Sequence, residues 1–110
     1  MNISVEQADG YGVLRPEGRL NMVAAPRLRS AIERMVDDGS TRIVLDLSDV
    51  TFIDSSGLGA VIGGLKRARQ GGGDLRIARA GEQVMTVMRL TNLDRVLRPH
   101  ETVQHAADGW

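Results

Sequence analysis

Asp54, Ser55 and Ser56 stand in succession where the apolar residues Val50, Phe52 and Ile53 give way to the glycine-rich segment Gly57-Leu58-Gly59-Ala60. That change of pattern marks a strand leading into a helix. A helix N-terminus offers unpaired N–H groups and a partial positive charge, which suit an anion. A serine there either caps the helix or accepts a phosphoryl group. Capping takes one residue and is worth roughly 1 kcal/mol, so three candidates in a row leave at least one free. A phosphate on Ser55 would place roughly −1.5 to −2 charges beside Asp54. The helix end would tolerate that charge, whereas an acidic or dry partner surface docked over it would not.

The glycines carry a related signal. Gly59, Gly63 and Gly64 fall within the helix that follows, where each costs roughly 1 kcal/mol relative to alanine. Gly59 and Gly63 are four apart and share a face, with Ser55 ahead of them on about the same side. Leu58, Val61, Ile62 and Leu65 form an apolar stripe pointing elsewhere. The glycines either face another element of the same domain or leave a smooth strip beside the serine for another surface to approach. Pairing of membrane helices through Gly59 and Gly63 is excluded, because no apolar run of about 20 residues surrounds them.

The elements around this junction read as alternating strands and helices. Ile3, Val5 and Gln7 alternate with polar residues, Asp9-Gly10 makes a turn, and an extended run continues through Val13 and Leu14 to Glu17. This is a hairpin, with Pro16 predicting an edge strand or a strand end because it cannot donate to a ladder. A first helix is expected from just after Asn21 to about Asp38, with Pro26 in its opening turn and Gly39 at its end. Its inward stripe is Leu28, Ile32, Met35 and Val36. Ile43 to Leu47 is the strongest strand, and its nearly continuous apolar run predicts a central position. The second helix spans roughly Ser56 to Gln70, with Lys66, Arg67 and Arg69 complementing its dipole and Gly71-Gly72-Gly73 stopping it. Leu75 to Ala78 is a short strand. A third helix runs from Gly81 to about Thr91, with Val84, Val87 and Met88 inward and Asn92 capping it. Beyond Val96 a short strand and a helical turn or two are expected. The order predicts one α/β domain over residues 1–110, a mixed four- to five-stranded sheet packed with about four helices.

Composition removes several classes of function. With an aromatic fraction of 3%, the core is aliphatic, and no stacking platform for single-stranded nucleic acid is available. Fourteen basic and fourteen acidic residues cancel, which argues against direct nucleic-acid binding. Arginine dominates the basic residues, Lys66 being the one lysine, which we read as genomic codon bias. Cysteine is absent, so no disulfide framework, thiolate metal site or thiol nucleophile exists. No apolar run approaches the roughly 18 residues of a membrane span, and Met1 to Glu6 does not read as a secretory signal. A cytoplasmic protein without membrane contact is the expectation.

The run from Val44 to Gly59, Val-Leu-Asp-Leu-Ser-Asp-Val-Thr-Phe-Ile-Asp-Ser-Ser-Gly-Leu-Gly, closely resembles the core of the bacterial anti-sigma factor antagonists, which are STAS domains. Gly18-Arg19-Leu20-Asn21, Gly72 to Ile77, and Leu90 to Leu97 extend the resemblance over nearly the whole chain. The resemblance implies a non-enzymatic protein that binds an anti-sigma factor, often a serine kinase, and so frees a sigma factor. It implies phosphorylation of Ser55 by that kinase, weakening of the complex, and restoration by a serine phosphatase. The implied partner-binding residues are Asn21, Asp54, Ser55, Ser56, Gly57, Leu58, Gly59 and Gly63, with no cofactor. Asn21 departs from the Asp common at that position, which bears on the rate of phosphorylation. A constitutive, non-phosphorylated subunit of a lipid-transport ATPase complex, or a small-ligand-binding module, is the alternative, in which Ser55 is only a cap.

Other constellations are weaker. His100 and His105 lack a ligand set for a metal, Gly71 to Asp74 lacks the Lys-Ser/Thr of a phosphate loop, and Asp46 with Asp54 lacks a nucleophile or pocket for acid–base work. Trp110 is expected to be a frayed end.

Overall fold

The computed structural model describes residues 1–110. Strands β1 (Asn2–Ala8) and β2 (Tyr11–Leu20) form the antiparallel hairpin, closed at Asp9-Gly10. Helix α1 (Ala25–Asp37) leads to β3 (Arg42–Asp46) and β4 (Val50–Ile53). Helix α2 (Ser55–Gln70), β5 (Asp74–Ala78) and α3 (Glu82–Leu90) follow. A 3₁₀ turn at Leu93–Arg95, β6 (Pro99–His100) and α4 (Val103–Ala106) complete the chain. The strand order is β1-β2-β3-β5-β6, with β4 pairing β2 away from that path. The sheet therefore has six strands rather than four or five. The short strand expected beyond Val96 is β6, and the strand beyond the expected count is β4, separate from β3, which leads into the Asp54–Ser56 junction.

Strand β2 is interior and does not end at Pro16, contrary to the expectation from that residue. Its first half pairs in parallel with β3 from Gly12 to Leu14, and its second half with β4 from Gly18 to Leu20. Pro16 falls in the gap between the two parallel partners, where a donor has no acceptor to meet. The register shifts between Gly18 and Arg19, and Gly18 takes φ +97°, a conformation open to glycine at little cost. This bend carries β2 from one partner to the other.

The predicted stripes face the core, with Ile62 and Val87 only partly buried at its margin. Leu28, Ile32, Met35 and Val36 of α1 pack with Leu58, Val61 and Leu65 of α2 and with Ile43 and Leu45 of β3 in one aliphatic core. Val84 and Met88 of α3 join it. Alternation along β3 sends Val44 to the opposite face, where Ala78, Ala106 and Ala107 cover it. Helix α1 begins later than expected because Asn21 to Ala24 form a turn first: Asn21 Oδ1 accepts from the N–H groups of Val23 and Ala24, each at 3.1 Å. Trp110 is not frayed. Its ring carries the Arg76 guanidinium 4.0 Å from its centroid and lies 6.3 Å from the Tyr11 ring, and the Trp110 backbone N–H donates to Ala107 O at 3.0 Å. No helix is long and apolar enough to cross a membrane.

The single buried charge sits on the second face. Asp46 is fully buried, accepting from Arg15 Nε at 2.8 Å, from Arg79 Nη2 at 2.9 Å, and from the Ser48 N–H at 3.0 Å. Burial alone would push this carboxyl up. The hydrogen bonds from Arg79, Arg15 and Ser48 outweigh it and bring the pKa down to about 2.

Candidate functional site

The junction is built at the carboxyl ends of β2 and β4. Asp54 is the N-cap of α2, and its Oδ1 accepts from the Gly57 N–H at 2.9 Å. The Asp54 N–H donates in turn to Leu20 O at 3.3 Å, tying the junction to the end of β2. Gly57 has no room for a side chain, since a Cβ there would run into Leu20 O. Gly64 is constrained by the side chain of Ile32 of α1 rather than by backbone. These two glycines serve internal packing.

The other members of the motif are free. Asp54 alone makes the cap bond, and the hydroxyls of Ser55 and Ser56 make no hydrogen bond within the chain, Ser55 being exposed and Ser56 half-buried. Gly59 and Gly63 are exposed; a Cβ at Gly63 would meet nothing within 4 Å, and one at Gly59 only Arg29 Nη2 at 3.5 Å. The strip expected beside Ser55 thus exists on the surface as Ser55, Gly59 and Gly63. Leu58 does not belong to it: at 7% exposure it is a core residue.

Asn21 lies next to this junction through Leu20, whose carbonyl meets Asp54. Its amide oxygen shapes the turn, a task an aspartate would perform equally. The turn holds Met22 and Val23 outward at 71% and 78% exposure, two large apolar side chains beside the N-terminus of α2.

Two groups escaped the sequence reading. Gln83 of α3 clasps the last residue of β4: the Ile53 N–H donates to its Oε1 at 2.9 Å, and its Nε2 donates to Ile53 O at 3.0 Å. A side-chain amide thereby replaces a neighbouring strand one residue before Asp54. A glutamine 30 positions away carries no local sign of this pairing. Met22 and Val23 fell within the expected start of the first helix, which begins only at Ala25. Elsewhere, an open groove of 640 Å³ runs between β1 and α1, lined by Ile3, Val5, Ala31 and Met35 and flanked by Arg27 and Arg34. It does not include the serine motif.

The fold, with its hairpin, parallel crossovers and capped serine at the start of α2, defines a domain class that comparisons with known proteins identify. The STAS domain family model matches residues 2–106, and the chain belongs to the STAS domain family. A Thermotoga maritima protein named "Putative anti-sigma factor antagonist" is 33% identical over 101 residues, 91% of this chain and 89% of the relative. The Staphylococcus aureus anti-sigma-B factor antagonist is 27% identical over 101 residues, covering 92% and 94% of the two chains. The crystal structure of an anti-sigma factor antagonist from Mycobacterium paratuberculosis superposes with a TM-score of 0.85 at 30% identity, over 96% of this chain and 89% of that one.

Proposed function

We propose that this protein is an anti-sigma factor antagonist whose binding is switched off by phosphorylation of Ser55. The observation that carries the reading is the division of labour at the head of α2. Asp54 alone supplies the cap, so the exposed Ser55 hydroxyl has no structural task. Exposed Gly59 and Gly63 on one side and Met22 and Val23 on the other give a partner both close backbone approach and apolar area. The names of the similar proteins support the antagonist role, and the switch rests on the geometry of the junction alone.

The partner is an anti-sigma factor that is itself a serine kinase. In the modification, Ser55 Oγ attacks the terminal phosphorus of ATP, a new P–O bond forms, ADP departs, and the hydroxyl proton is released. Nucleotide and its metal belong to the kinase. The added charge then faces a surface that had excluded water, and the complex dissociates. A serine phosphatase hydrolyses the ester and returns the binding form.

Binding of an anti-sigma factor kinase from the same genome to wild type, Ser55→Asp and Ser55→Ala tests the reading by calorimetry. Wild type and Ser55→Ala bind, and Ser55→Asp binds at least tenfold more weakly. Equal affinity for wild type and Ser55→Asp removes the switch. In that case the constitutive-subunit reading, in which Ser55 has no regulated role, takes its place.

A further inference from the structure

Helices α1 and α2 run parallel. Arg67 Nε meets Glu33 Oε2 at 2.9 Å and Arg67 Nη2 meets Asp37 Oδ1 at 3.1 Å. One and two turns earlier, Gly64 faces Ile32 and Gly59 faces Arg29. Rising numbers on one helix match rising numbers on the other, so both N-termini lie at the same end, beside Ser55.

Arg29 stands out in this interface. Glu33, one turn further along α1, is taken by Arg67, and no carboxylate lies within ion-pair distance of Arg29. Its guanidinium instead rests against bare α2 backbone, Nη2 being 3.5 Å from where a Cβ on Gly59 would stand. Ser55 precedes Gly59 by one turn on the same face, about 6 Å along the axis. An unpaired guanidinium and an unbonded hydroxyl thus share one short strip.

On the reading that Ser55 is a phosphoacceptor, we propose that Arg29 is the intramolecular partner of the phosphate. The phosphoryl group brings three acceptor oxygens, and a guanidinium engages two of them through parallel N–H donors. Asp54 is the acidic neighbour, and its carboxylate is occupied with the Gly57 N–H. Pairing moves the guanidinium from Gly59 toward Ser55. Phosphorylation therefore does two things at the partner surface: it adds negative charge, and it withdraws the cation available to an acidic group of the anti-sigma factor.

The test uses the full chain with phosphoserine inserted at position 55 during synthesis, so no kinase is required. Phosphorus NMR follows the second ionisation of the phosphate against pH in the parent, Arg29→Gln, Arg29→Lys and Arg19→Gln. Arg19 is the charge control, since its guanidinium sits 4.2 Å from the centroid of the Phe52 ring. The expected result is an ionisation about half a pH unit lower in the parent than in Arg29→Gln, partly recovered by lysine and unmoved by Arg19→Gln. The same ionisation in parent and Arg29→Gln overturns the pairing, as do equal shifts from Arg19→Gln and Arg29→Gln. Affinity for the anti-sigma factor is read separately. A shifted ionisation with unchanged affinity upholds the pairing and overturns the switch on which it was built.

Discussion

Arg79 adopts a left-handed backbone, φ +56°, and from it reaches the fully buried Asp46 with Nε at 3.2 Å and Nη2 at 2.9 Å. A non-glycine residue holds that conformation at a cost, and the Arg79 N–H, donating to His100 O at 2.9 Å, ties the backbone to β6 independently of the side chain. Arg79→Ala loses the pair and keeps the strain, while Arg79→Gly loses the pair and relieves the strain. The glycine variant is expected to be the more stable of the two by about 1 kcal/mol in urea unfolding. The reverse order would mean that the backbone there is unstrained.

The same carboxylate sets an acid limit. Its folded pKa is about 2, below the ordinary value of 3.8, so the folded state binds its proton less readily than the unfolded chain. The stability this contributes, about 2 kcal/mol, is fully present above pH 4 and is lost as pH falls toward 2. Asp46→Asn should flatten that part of the stability–pH curve. A curve of unchanged slope between pH 4 and 2 would assign acid sensitivity to other carboxylates.

Gly63 and Gly64 are adjacent and should respond oppositely to alanine. Gly63→Ala meets open space and gains helix propensity, stabilising by up to about 1 kcal/mol. Gly64→Ala drives a methyl into Ile32 and destabilises by about 1–3 kcal/mol. Thermal unfolding of the two variants decides. If the open strip is a docking surface, Gly63→Ala should also weaken anti-sigma factor binding while raising the melting temperature.

Met22 and Val23 should matter to binding and not to folding. The double variant Met22→Ser, Val23→Ser removes apolar side chains that are 71% and 78% exposed and leaves the Asn21 turn intact. Unfolding free energy should change by less than about 0.5 kcal/mol. Affinity for the anti-sigma factor should fall at least tenfold, as expected for apolar anchors at the centre of an interface. Undiminished affinity would place the docking surface elsewhere.

Gln83 holds the serine junction from outside the motif. Gln83→Ala leaves the Ile53 N–H and C=O without their partner. Amide exchange at Ile53 should accelerate at least tenfold relative to the centre of β3. Exchange that is unaltered would show that β4 keeps its geometry without the clasp.

What the sequence disclosed and what it withheld follow one physical division. Leu28, Ile32, Met35 and Val36 repeat with the helical period, and their burial could be read directly from spacing. The serine motif was legible because strand, cap and glycines are contiguous. Pro16 misled because its position relative to β3 and β4 depends on how β2 divides between them, a matter of pairing across about 30 residues. Asp46 sat in an apolar run with its partners 31 and 33 positions away, and nothing nearby announced Arg15 or Arg79. Trp110 gained its place from Arg76 and Tyr11, likewise distant in the chain. Local periodicity reports elements; contacts between remote residues set registers, buried ion pairs and the clasp of Gln83.

Because β2 is shared among β1, β3 and β4, it also imposes an order of assembly. Its pairing with β1 closes over a two-residue turn, a fast event on the microsecond scale. Its parallel ladders with β3 and β4 join residues about 30 apart, and each requires loop closure before any hydrogen bond rewards it. Loop-closure cost therefore predicts that the amino-terminal hairpin forms first and that β3 and β4 are laid against it. The head of α2, anchored by Leu20 at the far end of β2, is by the same argument predicted to order after that strand has paired with β4.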